Sequence, residues 1–361
     1  MATSVAARHF RKYWKRYVFG LGVYTLVSNI VIKRYRDKVI IRHLCSDVSG
    51  RGKQRHPATE NVKKAYVFLN PTANNGDAKG KFQKFAAPIL NLAEFEVILI
   101  ESEYSGQIRT LMGYIDPKTD IIVAAGGDGT LFEVVNGLMR RYDAERFMNS
   151  VRIGVIPLGK ENRFFNHLFP DQTTKLPSRM IGEATKMVME GDSYPMSVMQ
   201  LCPKEGKTLY ALQQASWGAF KHAYDRRDRF WIFGPLRSLI SHIYTAVRAW
   251  PENYQLLIAT QAQDSNFQLW DTLGFDMHLK GSEFFFTIWP NSITKWDFIK
   301  HGWQVGKSRI SPCKATTISK QRCVISPRSS QETWLSIDGE LYEATTIEAS
   351  VLPNRLQFIA R

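Results

Sequence analysis

The chain has 361 residues, 44% hydrophobic and 22% charged, and a formal net charge of +15; at roughly 150 residues per domain that is the length of two domains. This composition excludes disorder, a collagen-like repeat or a coiled coil as the bulk structure. Residues 1–60 hold thirteen Lys and Arg against Asp37, Asp47 and Glu60, ten of the fifteen net charges, so a basic head precedes a near-neutral body and nucleic-acid binding by that body is not expected.

The head has no acid in its first 36 residues. Arg8, Arg11, Lys12, Lys15 and Arg16 precede an apolar run, Val18–Ile32, and Lys33, Arg34 and Arg36 follow it. The run has 15 residues, against the roughly 20 that a spanning helix needs. Tyr13, Trp14 and Tyr17 as interfacial aromatics would extend it to a short span. Three readings stand: a mitochondrial-type targeting and anchor segment, an interfacial amphipathic helix, and a signal peptide. Residues 46–60, rich in Ser, Gly and charge, read as a linker. A body beginning near Thr59 is expected to fold without the head.

From Val62 strands and helices alternate. Lys63–Pro71 reads as a strand, Thr72–Gly80 as a Gly/Asn turn, and Lys81–Leu90 as a helix that Pro88 ends or kinks. Phe95–Ile100 is a strand, Ser105–Ile115 a helix, and Asp120–Thr130 a strand running into a glycine turn. Leu131–Arg141 is an amphipathic helix and Val151–Gly159 the next strand. This alternation predicts a parallel, doubly wound sheet. Such sheets bind ligands at the carboxyl ends of their strands. The turns Asn70–Gly80, Gly126–Thr130 and Pro157–Asn162 all leave such ends. Beyond Gly191 short β-like runs dominate: Tyr194–Leu201, Glu283–Trp289, Thr333–Asp338, Ala344–Leu352 and Arg355–Ala360. The expected division is a head at 1–60, an α/β domain at 61–190 and a β-rich domain at 191–361.

The turn Gly126–Thr130 (GGDGT) stands between a buried strand and a helix start. Its glycines permit close backbone approach, and the helix start offers free N–H groups to an anion. Asp128 would repel a phosphate. It fits either a group that handles a hydroxyl proton or a metal ion, or a cap of its own helix through Thr130 or the next N–H.

In order, NPTANNGDAKG (70–80), GGDGTLFEVVNGL (126–138), PLGKEN (157–162) and SIDGELYE (336–343) resemble the diacylglycerol kinase catalytic family, which includes sphingosine kinases and bacterial lipid kinases. The resemblance covers about residues 62–361. It is nearest the acylglycerol kinase branch, through runs such as WIFGPLRSL (231–239) and VLPNRLQFIAR (351–361). It implies an NAD-kinase-like two-domain fold, an α/β nucleotide domain and a β-sandwich-type domain whose last strand can return to the first. It also implies transfer of phosphate from ATP, with Mg²⁺, to the hydroxyl of mono- or diacylglycerol. It implies a mitochondrial inner-membrane location, with the body in the intermembrane space. Carrier-translocase subunits are implied as partners, so a structural role is an alternative beside catalysis. A ceramide or sphingosine kinase is another alternative, and an NAD kinase is disfavoured by the head.

Residue by residue, the resemblance assigns Asn70, Pro71, Asn74 and Gly76 to the first nucleotide turn and Ser102 to a position near the nucleotide. It assigns Gly126, Gly127, Gly129 and Thr130 to the phosphate loop, with Gly159 and Asn162 beside it. Asp128 matches the residue acting on the acceptor hydroxyl. Asp338 and Glu340 match the segment that meets nucleotide phosphate and Mg²⁺. Where many relatives read PLGTGND, this chain reads PLGKENR, which alters the acceptor side at Lys160, Glu161 and Arg163.

Asp228–Trp250 reads as one helical stretch whose aromatic and aliphatic residues are core packing around Gly234–Pro235; an acyl-chain wall or membrane-facing helix is the alternative. Arg226–Arg229 reads as a solvated face, with phosphate or headgroup contact as the alternative. Cys45, Cys202, Cys313 and Cys323 are too scattered for a disulfide framework, and the histidines form no metal-binding spacing.

Overall fold

Most of the head folds as one helix, Ala2–Gly52, about 75 Å long at 1.5 Å per residue. The computed structural model describes residues 2–52, 62–93, 95–172, 175–250, 254–259, 268–305, 316–329 and 334–360. Residues 46–52, expected as linker, continue the helix, because Val48 has an apolar surface to bury against; residues 53–60 lie outside the described residues. Ile41, Leu44 and Val48 form a helical stripe that packs on Ile89. Gly182, in the helix Pro177–Glu190, makes room for it: a Cβ there would lie 2.5 Å from a Leu44 methyl. Ser178 donates to Asp37 at 2.6 Å and Lys186 to Asp47 at 3.1 Å. The head is therefore joined to the body from Asp37 onward, and a chain cut at Thr59 would uncover Ile89 and the Gly182 groove. The run Val18–Ile32 stays largely exposed. Among the described residues, no helix is long and apolar enough to cross a membrane.

The α/β half follows the expected order. Strands β1 (Lys64–Leu69), β2 (Glu96–Glu101), β3 (Ile121–Gly126) and β4 (Arg152–Pro157) lie in the order β2-β1-β3-β4, all parallel. β3 is buried along its whole length, as a parallel strand covered on both faces must be. Pro88 neither ends nor sharply breaks its helix. Lacking an N–H, it is absorbed by a π turn over Phe82–Ala86, in which the Ala87 N–H reaches back to the Phe82 carbonyl.

The second half is strand-rich. It comprises β5 (Asp192–Pro203), β6 (Leu209–Ala211), β7 (Gln214–Gly218), β8 (Gln255–Ala259), β9 (Gln268–Lys280), β10 (Glu283–Pro290), β11 (Thr316–Lys320), β12 (Arg322–Arg328), β13 (Trp334–Ile337), β14 (Glu340–Glu343) and β15 (Ile347–Ala360). The runs Ala344–Leu352 and Arg355–Ala360 prove to be one long strand, β15, with a register shift between Leu352 and Leu356. β15 pairs antiparallel with β5 and β12, and its Phe358 pairs parallel with Ile153 of β4. The hydrogen-bonded path thus runs unbroken, β14-β13-β7-β9-β8-β12-β15-β4-β3-β1-β2. One core lies among β5–β10, β12, β13 and β15, around Trp217, Phe275, Phe284 and Phe286.

The segment from Arg227 to Trp250 departs from expectation twice. It is a 3-10 run, Arg227–Leu236, then a helix, Arg237–Arg248, broken at Gly234, whose φ of 50° only glycine adopts freely. Its large apolar side chains are mostly outside: Trp231, Ile232, Phe233, Leu236, Ile243, Tyr244 and Val247 are all exposed. The core reading is therefore corrected. Arg227, expected on a solvated face, is buried.

Docking of the N-terminal helix should contribute measurably to stability. Leu44→Ala removes a buried anchor and should cost about 2–3 kcal/mol, seen as a lower midpoint in denaturant unfolding of the full chain. An unchanged midpoint would mean that the helix rests on the body without stabilising it.

Candidate active site

Three turns at the carboxyl ends of β1, β3 and β4 border one cleft of about 460 Å³. In the first, the Asn70 side-chain oxygen accepts from the Thr72 N–H and hydroxyl, at 3.1 and 2.8 Å, and folds the turn on itself. Asn74, Asn75 and Gly76 then adopt φ of 53°, 59° and 89°. Asn tolerates the left-handed region far better than most residues, which is why NNG can replace a glycine-rich run. In the second, a Cβ on Gly127 would come within 3.3 Å of Gly159 Cα, so the β3 and β4 turns touch backbone to backbone. Gly159 is held there by its N–H to Gly126 and to the Asn162 side chain.

The helix Asp128–Met139 starts at this contact with no side-chain cap. Its first N–H groups and its positive dipole end therefore face the cleft. Asp128 does not cap its own helix. Its two oxygens accept from the N–H groups of Arg163 and Phe164, at 2.9 and 3.0 Å, capping the helix that follows β4, Arg163–Leu168. Burial raises the Asp128 pKa while these two bonds oppose the rise.

Asp338 sits in the left-handed turn between β13 and β14, with φ of 48°, followed by Gly339 at 98°. Its oxygens accept three backbone N–H bonds, from Leu212, Gln213 and Gln214, at 2.6, 3.0 and 2.9 Å. Enclosure pushes its pKa up to about 6, with a further upward push from Asp128. Glu340 reaches across the cleft from β14: one of its oxygens is 2.6 Å from where a Gly129 Cβ would be. Burial raises its pKa, and Glu133 raises it further. Glu133 accepts from the Gly106 N–H with one oxygen at 2.8 Å, and its other oxygen is buried without a hydrogen-bond partner.

The structure brings Asn70, Asn74, Ser102, Gly127, Gly129, Thr130, Gly159 and Glu340 to the cleft wall. Gly126, Asp128, Asn162 and Asp338 support it from behind, and Pro71 and Gly76 shape the first turn without lining it. Among the described residues no group of three His, Cys, Asp or Glu could hold a metal ion. Cys45, Cys202 and Cys323 are free thiols, and Cys313 lies outside the described residues.

Sequence reasoning missed a network beside the β4 turn. Glu161 accepts from Arg163 (2.7 Å), from the Tyr224 hydroxyl (2.9 Å) and from Arg227. Arg227 stacks over Tyr224 at 3.4 Å, and Lys160 pairs with Asp228 at 3.5 Å. The charged residues that interrupt the PLG motif thus tie the β4 turn to residues 224–228. Only that interruption signalled them. Asn136 was also missed. Fully buried, it bonds the Tyr210 backbone in both directions, clamping β6 to the Asp128–Met139 helix. A lone amide on an apolar helix face was its only trace.

Residues 64–201 match the diacylglycerol kinase catalytic domain model. The chain is 29% identical to acylglycerol kinase, mitochondrial, of Mus musculus, over 96% of this chain and 94% of that protein. It is 28% identical to the Xenopus laevis protein of the same name, over 97% and 93%. Sphingosine kinase 1 of Arabidopsis thaliana is 28% identical over 48% of this chain and 35% of its own length. The fold matches a diacylglycerol kinase structure from Bacillus anthracis str. Sterne, 16% identical with a TM-score of 0.56, over 84% of this chain and 98% of that one. With this domain match and whole-length relatives named as kinases, the chain carries a diacylglycerol kinase catalytic domain over residues 64–201 and is a lipid kinase.

Proposed function

We propose that the protein transfers the terminal phosphoryl group of ATP to a hydroxyl of mono- or diacylglycerol, giving lysophosphatidic or phosphatidic acid. The observation that carries this reading is the uncapped helix start at Gly127–Thr130, facing a cleft that Glu340 closes from the second half. The whole-length similarity to acylglycerol kinases supports acylglycerol over a sphingoid base. The same relatives, with a basic head whose first 36 residues hold no acid, support a mitochondrial location on the inner membrane with the body in the intermembrane space.

On this reading the nucleotide phosphates lie against the backbone N–H groups of the 127–130 turn, and Asn70, Asn74 and Ser102 line the rest of the nucleotide's cleft. Mg²⁺ would be held by few protein oxygens and the phosphates, as is usual for this ion. The unpartnered Glu133 oxygen and the Glu340 carboxylate fit that demand. When bound, the ion supplies charge neutralisation between phosphates. Asp338 spends three of its four lone-pair sites on backbone N–H groups, so we assign it to anchoring residues 212–214, not to the ion. Asp128 keeps a second lone pair on each oxygen and a burial-raised pKa, so it orients the acceptor hydroxyl and takes its proton. Lys160, on the cleft wall, adds positive charge where the phosphoryl group moves.

Three measurements test this. A lipid panel with labelled ATP should show phosphorylation of mono- and diacylglycerol in preference to sphingosine and ceramide; the reverse preference would reassign the substrate. Asp128→Asn should lower turnover by roughly 10²–10⁴-fold. It should also cost about 1 kcal/mol of stability, because an amide NH₂ then faces one of the two backbone donors. Turnover within a few-fold of wild type would reduce Asp128 to a helix cap. Gly127→Glu should abolish ATP binding by calorimetry, since the side chain meets Gly159 and its charge repels phosphate.

The acid limb of kcat/KM should have an apparent pKa near 6, the value to which burial pushes Asp338. Protonation removes acceptors that the turn backbone and the substrate hydroxyl need. The stability sign is opposite. The folded chain holds the Asp338 proton more tightly than the unfolded chain, so this contribution is present at low pH and is lost as pH rises through about 6. Full activity at pH 5 would refute the assignment.

A further inference from the structure

The helix Arg237–Arg248 is built inside out. Its polar residues Ser241, His242 and Thr245 are buried at 0–1% exposure. Ser241 donates to the Ala223 carbonyl at 2.6 Å, Thr245 accepts from Arg226 at 2.8 Å, and the His242 ring meets the Ser238 carbonyl at 2.7 Å. Its apolar residues Ile243, Tyr244 and Val247 face solvent. The preceding turn continues this surface: Trp231 is 72% and Ile232 76% exposed, with Phe233 and Leu236 beside them. Phe230 packs at a tilt against Tyr244, ring centroids 5.7 Å apart, and joins the two parts. A contiguous apolar surface of this kind on a folded chain marks a contact site. Nothing in the internal packing accounts for it, because the helix buries its polar side instead.

We propose that this face is a bilayer-docking surface of the catalytic body, seated on an anionic lipid surface independently of the N-terminal helix. The inference rests on the lipid-kinase reading, since a lipid kinase must meet its acceptor at a membrane. Charge selects the occupant. Arg229 and Arg248 are exposed on the same segment, Arg237 is half-buried beside them, and the chain carries +15. Arginines around an apolar face suit anionic headgroups over inserted aromatic side chains. They would repel a second copy of the same surface. The segment is also tied to the cleft: Asp228 bonds both Lys160, on the cleft wall, and Arg237, while Arg227 bonds Glu161. A lipid lifted from the bilayer here therefore lies next to the β4 turn, on the acceptor side of the site.

The test uses the full chain and mixed phosphatidylcholine–phosphatidylserine vesicles carrying bromine on their acyl chains. Trp231→Phe isolates one indole by difference, so quenching of Trp14 or Trp296 cancels. Quenching present in wild type and lost in Trp231→Phe is the expected result. The double variant Ile232→Glu/Phe233→Glu should lose about tenfold or more of its turnover on vesicle-borne acylglycerol. It should stay within about twofold of wild type on a short-chain acylglycerol dispersed as monomers. An unquenched Trp231 together with unchanged vesicle turnover would overturn the proposal. So would equal loss on both substrates, or a sedimentation coefficient that falls in the double variant with vesicle turnover intact, which would make the face an interface between copies. Because quenching needs no turnover, a wild-type protein inactive on every acylglycerol would defeat the acylglycerol reading and leave the docking result separate.

Discussion

The site depends on where two carboxylates spend their lone pairs. An acid enclosed beneath an anion-binding turn is costly unless backbone donors satisfy it. Asp128 takes two N–H groups from the start of the Arg163–Leu168 helix, and Asp338 takes three from residues 212–214. Each carboxylate therefore joins two parts of the chain that are distant in sequence. Asp128 fixes the β3 turn to the first helix after β4. Asp338 fixes the β13–β14 turn to the start of β7, and so sets where Glu340 stands. Burial raises the Asp338 pKa, and the nearby Asp128 charge adds to the rise. Both carboxylates thus spend most of their lone pairs on backbone behind the cleft wall.

Much of this was legible in the sequence, for reasons that differ by element. β1 to β4 were readable because buried parallel strands are continuous apolar runs bounded by turn residues, as in Ile121–Gly126. The Gly126–Thr130 turn was readable because only small residues let the backbones of Gly127 and Gly159 touch. The hydrogen-bond partners of Asp128 were not readable. They lie 35 and 36 residues away, and capping rules describe only local neighbours. The helix N-cap reading therefore named the right kind of bond and the wrong helix.

The misreading of residues 228–250 has a definite physical origin. A periodic apolar stripe says that a helix has an apolar face, not which way that face points. The usual inference, apolar inward, assumes that water is the only solvent outside. Ser241, His242 and Thr245 violate it visibly once their partners are known, because each finds a backbone or side-chain bond within the fold. The same assumption made the basic residues 226–229 look like a solvated face. Arg227 instead lies buried between Tyr224 and Glu161.

These observations connect the surface to the chemistry through one short relay. The Glu161 carboxylate gathers Arg163, Tyr224 and Arg227. Arg163 also supplies, through its backbone, one of the two N–H groups that hold Asp128. Three salt-bridged or stacked contacts thus lie between the exposed face at Trp231–Phe233 and the carboxylate proposed to meet the acceptor hydroxyl. Such a chain transmits position only if its members are fixed, and partly buried, charge-assisted bonds are the kind that fix them. Lys160 and Glu161 therefore tie the β4 turn rigidly to residues 224–228. On the proposed docking and mechanism that link has a use: the acceptor hydroxyl arrives from the side of the membrane, and Asp128 is held by the segment proposed to face that side.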